Sequence, residues 1–125
     1  HNISVAIENL DINTEHHVTS LLDSIPELGL CFDVGHAQVS DSFDMYLDKY
    51  YNRICALHIH DNNGKIDEHL IPGDGTINLS KILKKIQISG YKGIWGIECE
   101  QKIGQYKGTI SEIPQKAYKN VSQFI

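Results

Sequence analysis

Four short apolar runs alternate with segments of helical spacing, and each run closes on a carboxylate or an imidazole. The runs are "ISVAIENL" (3–10), "LGLCFDVGHA" (28–37), "RICALHIH" (53–60) and "GIWGIECE" (93–100). The pattern around them predicts helices over about 15–24, 41–52, 78–87 and 110–124, the first with Thr14 as its N-cap. Phe43, Tyr46, Leu47 and Tyr50 share one side of the second helix, and Ile82, Leu83 and Ile86 face inward on the third. Strand and helix repeated four times predict an α/β fold with a parallel sheet. The strands read as apolar on both faces, which a covered parallel sheet requires.

Alternate side chains of a strand face the same way. One step back on the same face, Ala6 precedes Glu8, Cys31 precedes Asp33, Ala56 precedes His58 and Gly96 precedes Glu98. Bulky Ile, Phe, Leu or Trp residues take the other face. Glu8 to Asp33 and Asp33 to His58 are both steps of 25 residues, one β/α unit; His58 to Glu98 is 40, and the surplus is about the loop at 61–76. One acidic residue at a strand end is ordinarily a helix cap or a solvated loop residue. Four such groups behind small residues predict a shared site at the C-terminal ends of the strands, where α/β folds place their active sites. His60 has the parity of His58, and His58 is assigned to the set because its depth matches the other three.

Three carboxylates and an imidazole in a partly buried space repel one another and lose hydration unless a cation lies among them. Oxygen-rich ligands with one nitrogen suit manganese, magnesium, cobalt or zinc. One divalent ion held this way can polarise a carbonyl and steady an enediolate, while neighbouring carboxylates move a proton between adjacent carbons. That combination fits aldose–ketose isomerisation, or epimerisation next to a ketone. His36, His60, Asp61, Asp67 and His69 form a second tier. His36 could ligate a second ion, bond a substrate hydroxyl or orient Asp33. Asp67 and His69 could hold a second ion or close over substrate; the alternative is a solvated turn. "PGDG" (72–75) reads as a turn into the next helix, being too short for a nucleotide-binding loop.

The 125 residues suffice for one domain, 1–125, with 41% apolar content and a formal charge of −5. The acidic balance and a single arginine, Arg53, argue against a nucleic-acid partner. Cys31, Cys55 and Cys99 lie in apolar runs without Cys-x-x-Cys spacing and read as small buried fillers in a reducing compartment. No stretch has the length of a transmembrane helix and no signal peptide opens the chain, so a cytoplasmic location is expected.

The ordered set "AIEN", "CFDVGHA", "LHIHDN", "IDEHLIPGDG" and "GYKGIWGIE" resembles the C-terminal half of a xylose-isomerase-like TIM barrel. That superfamily holds sugar phosphate isomerases and epimerases together with endonuclease IV-type apurinic/apyrimidinic endonucleases. The resemblance implies a (β/α) barrel of which four units are present here. In the sugar branch it implies Glu8, Asp33, His58 and Glu98 as ligands of one divalent metal. Glu8 and Glu98 double there as the acid/base pair, with His36 near substrate. In the nuclease branch the same four, with His36, Asp67 and His69, help hold up to three zinc ions, together with two histidines from the first half of the barrel. The motifs are closer to the sugar branch, whose substrate is a sugar or sugar phosphate. A full barrel needs about eight strands and ~250 residues, so the expected partner is a missing N-terminal half-barrel or, less favoured, a second copy. The chain alone is then expected to be inactive. A non-catalytic rival, a carbohydrate-binding or regulatory protein on a decayed barrel, should have lost a ligand, and none of the four is missing.

Overall fold

The computed structural model describes residues 3–11, 13–100 and 109–125. Four parallel strands, β1 (Ala6–Glu8), β2 (Gly29–Asp33), β3 (Ile54–Ile59) and β4 (Ile94–Ile97), form one sheet in chain order. The connections carry α1 (Glu15–Ser24), α2 (Val34–Val39), α3 (Phe43–Lys49), a short 3₁₀ turn (Tyr51–Arg53) and α4 (Leu79–Ile88). Helix α5 (Glu112–Ser122) closes the described residues. Sequential parallel strands with helical crossovers are the repeating unit of a (β/α) barrel.

The helices cover one face of the sheet. Leu30, Phe32, Leu57 and Ile59 project from the central strands into a core with Val18 and Leu22 of α1, Tyr46 and Leu47 of α3, and Leu83 and Ile86 of α4. Ile7 and Trp95, on the outer strands, pack against that core only partly buried. The opposite face is covered unevenly within the described residues: Cys31 and Asp33 of β2 are buried, but Ala6 is exposed, Ala56 intermediate, and Ile94 is 72% exposed. The expectation of strands buried on both faces therefore holds for β2 and not for the outer strands.

Several local expectations need correction. The segment 41–52 is not one helix but α3 followed by the 3₁₀ turn. Thr14 occupies the N-cap position of α1, yet its hydroxyl makes no cap and is buried without a partner. Of the cysteines, Cys31 is buried, Cys99 intermediate and Cys55 exposed. Cys55 is the extra residue of an irregularity in which Leu30 pairs Ile54 and Cys31 pairs Ala56. The thiol of Cys31 is pushed by burial to a pKa of about 12, so it stays a neutral filler beneath the carboxylates.

Arg53 has a structural use at the opposite end of the strands from Glu8 and Asp33. Its guanidinium donates to the carbonyls of Leu22, Ile25 and Leu28, where α1 ends and the chain turns into β2. A helix leaves its last carbonyls without partners, and a planar fork of donors satisfies several at once. Replacing Arg53 with Ala in the full-length protein should cost about 1–3 kcal/mol in urea denaturation, with Lys restoring only part. A loss confined to experimental error would show that these bonds contribute nothing.

Candidate metal centre

The register of the sheet staggers the strand ends. Asp33 lies level with His58, Glu8 lies level with Cys31, and His58 lies level with Gly96, which places Glu98 two residues further out. The equal depth used to choose His58 over His60 is thus not a property of the sheet; Asp33 and His58 share a row, and Glu8 and Glu98 do not. The four side chains meet nevertheless. One ligand atom from each of Glu8, Asp33, His58 and Glu98 lies within 4.8 Å of all the others. His58 Nδ1 sits 2.8 Å from Glu8 Oε1 and 2.8 Å from Glu98 Oε2, and 3.9 Å from Asp33 Oδ2.

Asp33 is the fixed member. It ends β2 and is the N-cap of α2, where its Oδ1 accepts the His36 backbone N–H at 2.7 Å. Its Oδ2 is buried and has no hydrogen-bond partner. A carboxylate oxygen so placed costs desolvation without compensation unless a cation or a proton meets it. Burial works against charging His58, but Glu8, Glu98 and Asp33 outweigh it and hold its pKa above the usual value. Those carboxylates thereby bias the ring toward its charged form. Three carboxylates, one imidazole and an orphaned oxygen fit a divalent ion.

A second group forms alongside: one ligand atom each from His36, His60, Asp67 and His69, again within 4.8 Å of one another. His36 Nδ1 lies 2.8 Å from the Asn9 carbonyl, and His69 Nδ1 lies 3.0 Å from the Glu98 carbonyl. A carbonyl only accepts, so in both rings Nδ1 carries a proton and Nε2 is turned the other way. Those two Nε2 atoms lie 3.3 and 2.7 Å from Asp67 Oδ2. His60 is fully buried, stacks on His69 at 4.0 Å, and spans the two groups, 3.0 Å from Asp33 Oδ1 and 3.6 Å from Asp67 Oδ1. Neither of its ring nitrogens makes a hydrogen bond of proper geometry. Burial opposes its protonation, and Asp33 and Asp67 nonetheless leave its pKa raised.

Asp67 and His69 stand on a loop that folds back over the strand ends, not on a solvated turn. Asp61 and Leu70 exchange backbone hydrogen bonds at 2.9 and 2.8 Å. The buried Asp61 carboxylate accepts from the backbone N–H groups of Asn62, Gly73 and Ile77. Asp61 therefore organises the loop rather than either ligand group, whereas His60 belongs directly to the second group. His69 itself has φ of +49°, a left-handed conformation uncommon for a residue with a Cβ. Such strain persists where surrounding contacts over-determine it, as at functional sites.

Residues 1–121 match the sequence model of the xylose isomerase-like TIM barrel family. The chain belongs to that family. An inosose dehydratase from Bacillus cereus (strain AH820) is 30% identical over 110 residues, covering 72% of this chain and 37% of that protein. A D-tagatose 3-epimerase-like protein of known structure is 31% identical, with a TM-score of 0.66 over 97% of this chain and 49% of its own. The IolI protein, solved with a bound zinc atom, shares the fold at a TM-score of 0.78 and 21% identity, over 98% of this chain and 50% of its own. The chain thus spans about half the length of these solved relatives.

Residues that the sequence did not single out support the two groups from behind. Asn9 is fully buried between β1 and β2, and Asn62 donates from its side chain to the Gly35 carbonyl at 2.8 Å. Gly35 leaves room for His60: a Cβ there would collide with the imidazole ring. A buried asparagine and a glycine under a ring look in sequence like loop residues, so no signal at this level distinguishes them. Gly35→Ala should destabilise the full-length protein by about 1–3 kcal/mol through overpacking and displace the His60 ring resonances in NMR spectra. Unmoved resonances would show that the close approach is not real.

No helix among the described residues is long and apolar enough to cross a membrane.

Proposed function

We propose that the full-length protein is a divalent-metal-dependent sugar isomerase or epimerase whose ligands are Glu8, Asp33, His58 and Glu98. The convergence of these four side chains at the C-terminal ends of successive strands carries the reading. The epimerase-like and zinc-bound relatives support it. When bound, the ion polarises a ketone and stabilises the negative charge of an enediolate. Glu8 ends the first strand and Glu98 directly follows the fourth, and both carboxylates reach His58. One carboxylate removes a proton from the carbon beside the ketone. The other returns a proton, to the neighbouring carbon in an isomerisation or to the opposite face of the same carbon in an epimerisation. No electrons leave the substrate, so the site needs no redox partner. The inosose dehydratase relative supports the reading to the extent that loss of water also takes a proton from a carbon.

Arg53, the one arginine, is engaged with carbonyls at the far end of the strands. Among the described residues, phosphate on a substrate would find no arginine at the ligand end, which favours an unphosphorylated sugar or a phosphate held by other parts of the protein. The N-terminal half-barrel is the partner we assign to close the site, with a second copy as the alternative. A second reading, an endonuclease IV-type enzyme with a multinuclear zinc site, is favoured by one observation, the group His36, His60, Asp67 and His69. Three imidazoles and a carboxylate suit zinc.

Elemental mass spectrometry on the full-length protein prepared without chelator tests both. About one divalent ion per chain supports the isomerase or epimerase reading, whereas two or three, mainly zinc, would move the assignment to abasic-site cleavage. Glu98→Gln in the intact protein should lower turnover by about 10²–10⁴-fold, as loss of an acid/base group does; undiminished turnover would remove Glu98 from that role. Asp67→Ala or His69→Ala should lower the metal count only if the second group holds an ion.

A further inference from the structure

Asn9 is fully buried, polar and adjacent to Glu8, and both of its side-chain hydrogen bonds go to one residue of the candidate metal centre. Its side-chain NH₂ donates to the Asp33 carbonyl at 2.9 Å, and its side-chain oxygen accepts the Asp33 N–H at 2.8 Å. These two bonds also fix which way the amide faces, since the reverse orientation would set like against like. The β1–β2 ladder ends at the pair Glu8 and Cys31. Beyond that pair the backbone of Asp33 has β3 on one side but no strand on the β1 side, although the residue is completely buried. A primary amide presents the same donor and acceptor as a peptide group, so the Asn9 side chain stands in for the missing strand residue.

The consequence falls on the carboxylate. With its backbone bracketed by Asn9, and its Oδ1 occupied by the first turn of α2, Asp33 has one oxygen left, the orphaned Oδ2 facing His58. The backbone carbonyl of Asn9 meanwhile accepts from His36 Nδ1 and turns that ring's Nε2 toward Asp67. One residue is thereby bonded to a member of each ligand group. We propose that Asn9 is a positioning residue of the metal centre, acting through Asp33, whose removal weakens metal binding and not only the fold. The inference rests on the reading of Glu8, Asp33, His58 and Glu98 as metal ligands.

The test is a Mn²⁺ titration of the full-length protein, followed by electron paramagnetic resonance, at a temperature where far-UV circular dichroism shows wild type and variants equally folded. Asn9→Ala should raise the Mn²⁺ Kd about 10–100-fold, the range found when partners behind metal ligands are lost. In a double-mutant cycle with Asp33→Asn, adding Asn9→Ala should cost less than about two-fold further, because both act through the same carboxylate. Should the alanine variant not fold, Asn9→Asp replaces it under the same criterion, since it keeps the acceptor for Asp33 N–H and loses the donor. Wild-type protein that binds Mn²⁺, with a variant Kd within two-fold of it, would overturn the role of Asn9 alone. Wild-type protein that binds no divalent ion would overturn the metal centre itself, and the proposal with it.

Discussion

Like charge concentrated in a half-buried space is the constraint on which the open end of this sheet depends. Carboxylates from β1, β2 and β4 converge on one imidazole of β3, and a further carboxylate, Asp67, lies just beyond. Coulomb repulsion between such groups grows as water is excluded, and hydration of each is lost at the same time. Nothing in the packing of the core offsets that cost. The raised pKa values of His58 and His60 are the protein's own partial compensation, two imidazoles biased toward positive charge by their acidic neighbours. A divalent ion supplies the same compensation with twice the charge and without consuming a ligand atom. On the proposed reading, a divalent ion is what relieves the repulsion within the first group.

Holding those groups together requires a scaffold that does not yield to the repulsion, and each support uses the backbone. Asp33 is bracketed by Asn9 and capped onto α2. The loop bearing Asp67 and His69 is drawn around the buried Asp61 carboxylate by three N–H donors. The His36 and His69 rings are oriented by the carbonyls of Asn9 and Glu98. In consequence the second group is anchored on residues next to, or within, the first. A shift of β1 or β4 at one group must alter the other, which makes the two groups one mechanical unit even where their ligands are distinct.

The alternation of strands and crossover helices was legible because hydrophobic period and chain order fix it: α1 falls on the predicted 15–24, and all four strands lie within the apolar runs, but α2, which begins inside the second run, was not legible. The small-before-polar parity at Ala6, Cys31, Ala56 and Gly96 was legible for the same reason, since side-chain direction alternates regardless of tertiary context. Depth was not. Register depends on strand tilt and on the irregularity at Cys55, neither of which leaves a mark in a strand's own sequence. Equally silent were the partners of the site. Asn9, Gly35 and Asn62 gain their meaning from burial against residues 24 to 27 positions away. The grouping of His60 with His36 and His69 required the loop to fold back, which only the loop's hydrogen bonds determine.

Burial across the first ligand group is uneven, and the unevenness bears on chemistry. The Asp33 side chain is 0% exposed, while Glu8 and Glu98, on the two outer strands, are 31% and 45% exposed. The central ligand is thus set by this chain alone, but the proposed acid/base pair stands where the sheet has edges. In a closed eight-stranded barrel both outer strands gain a neighbour and the unevenly covered face, with Ile94 and Ala6, gains a lining. Desolvation raises a carboxylate's pKa and a nearby cation lowers it. On the proposed reading, the residues that close the barrel complete the surroundings of the two outer carboxylates, whereas this chain alone already buries Asp33.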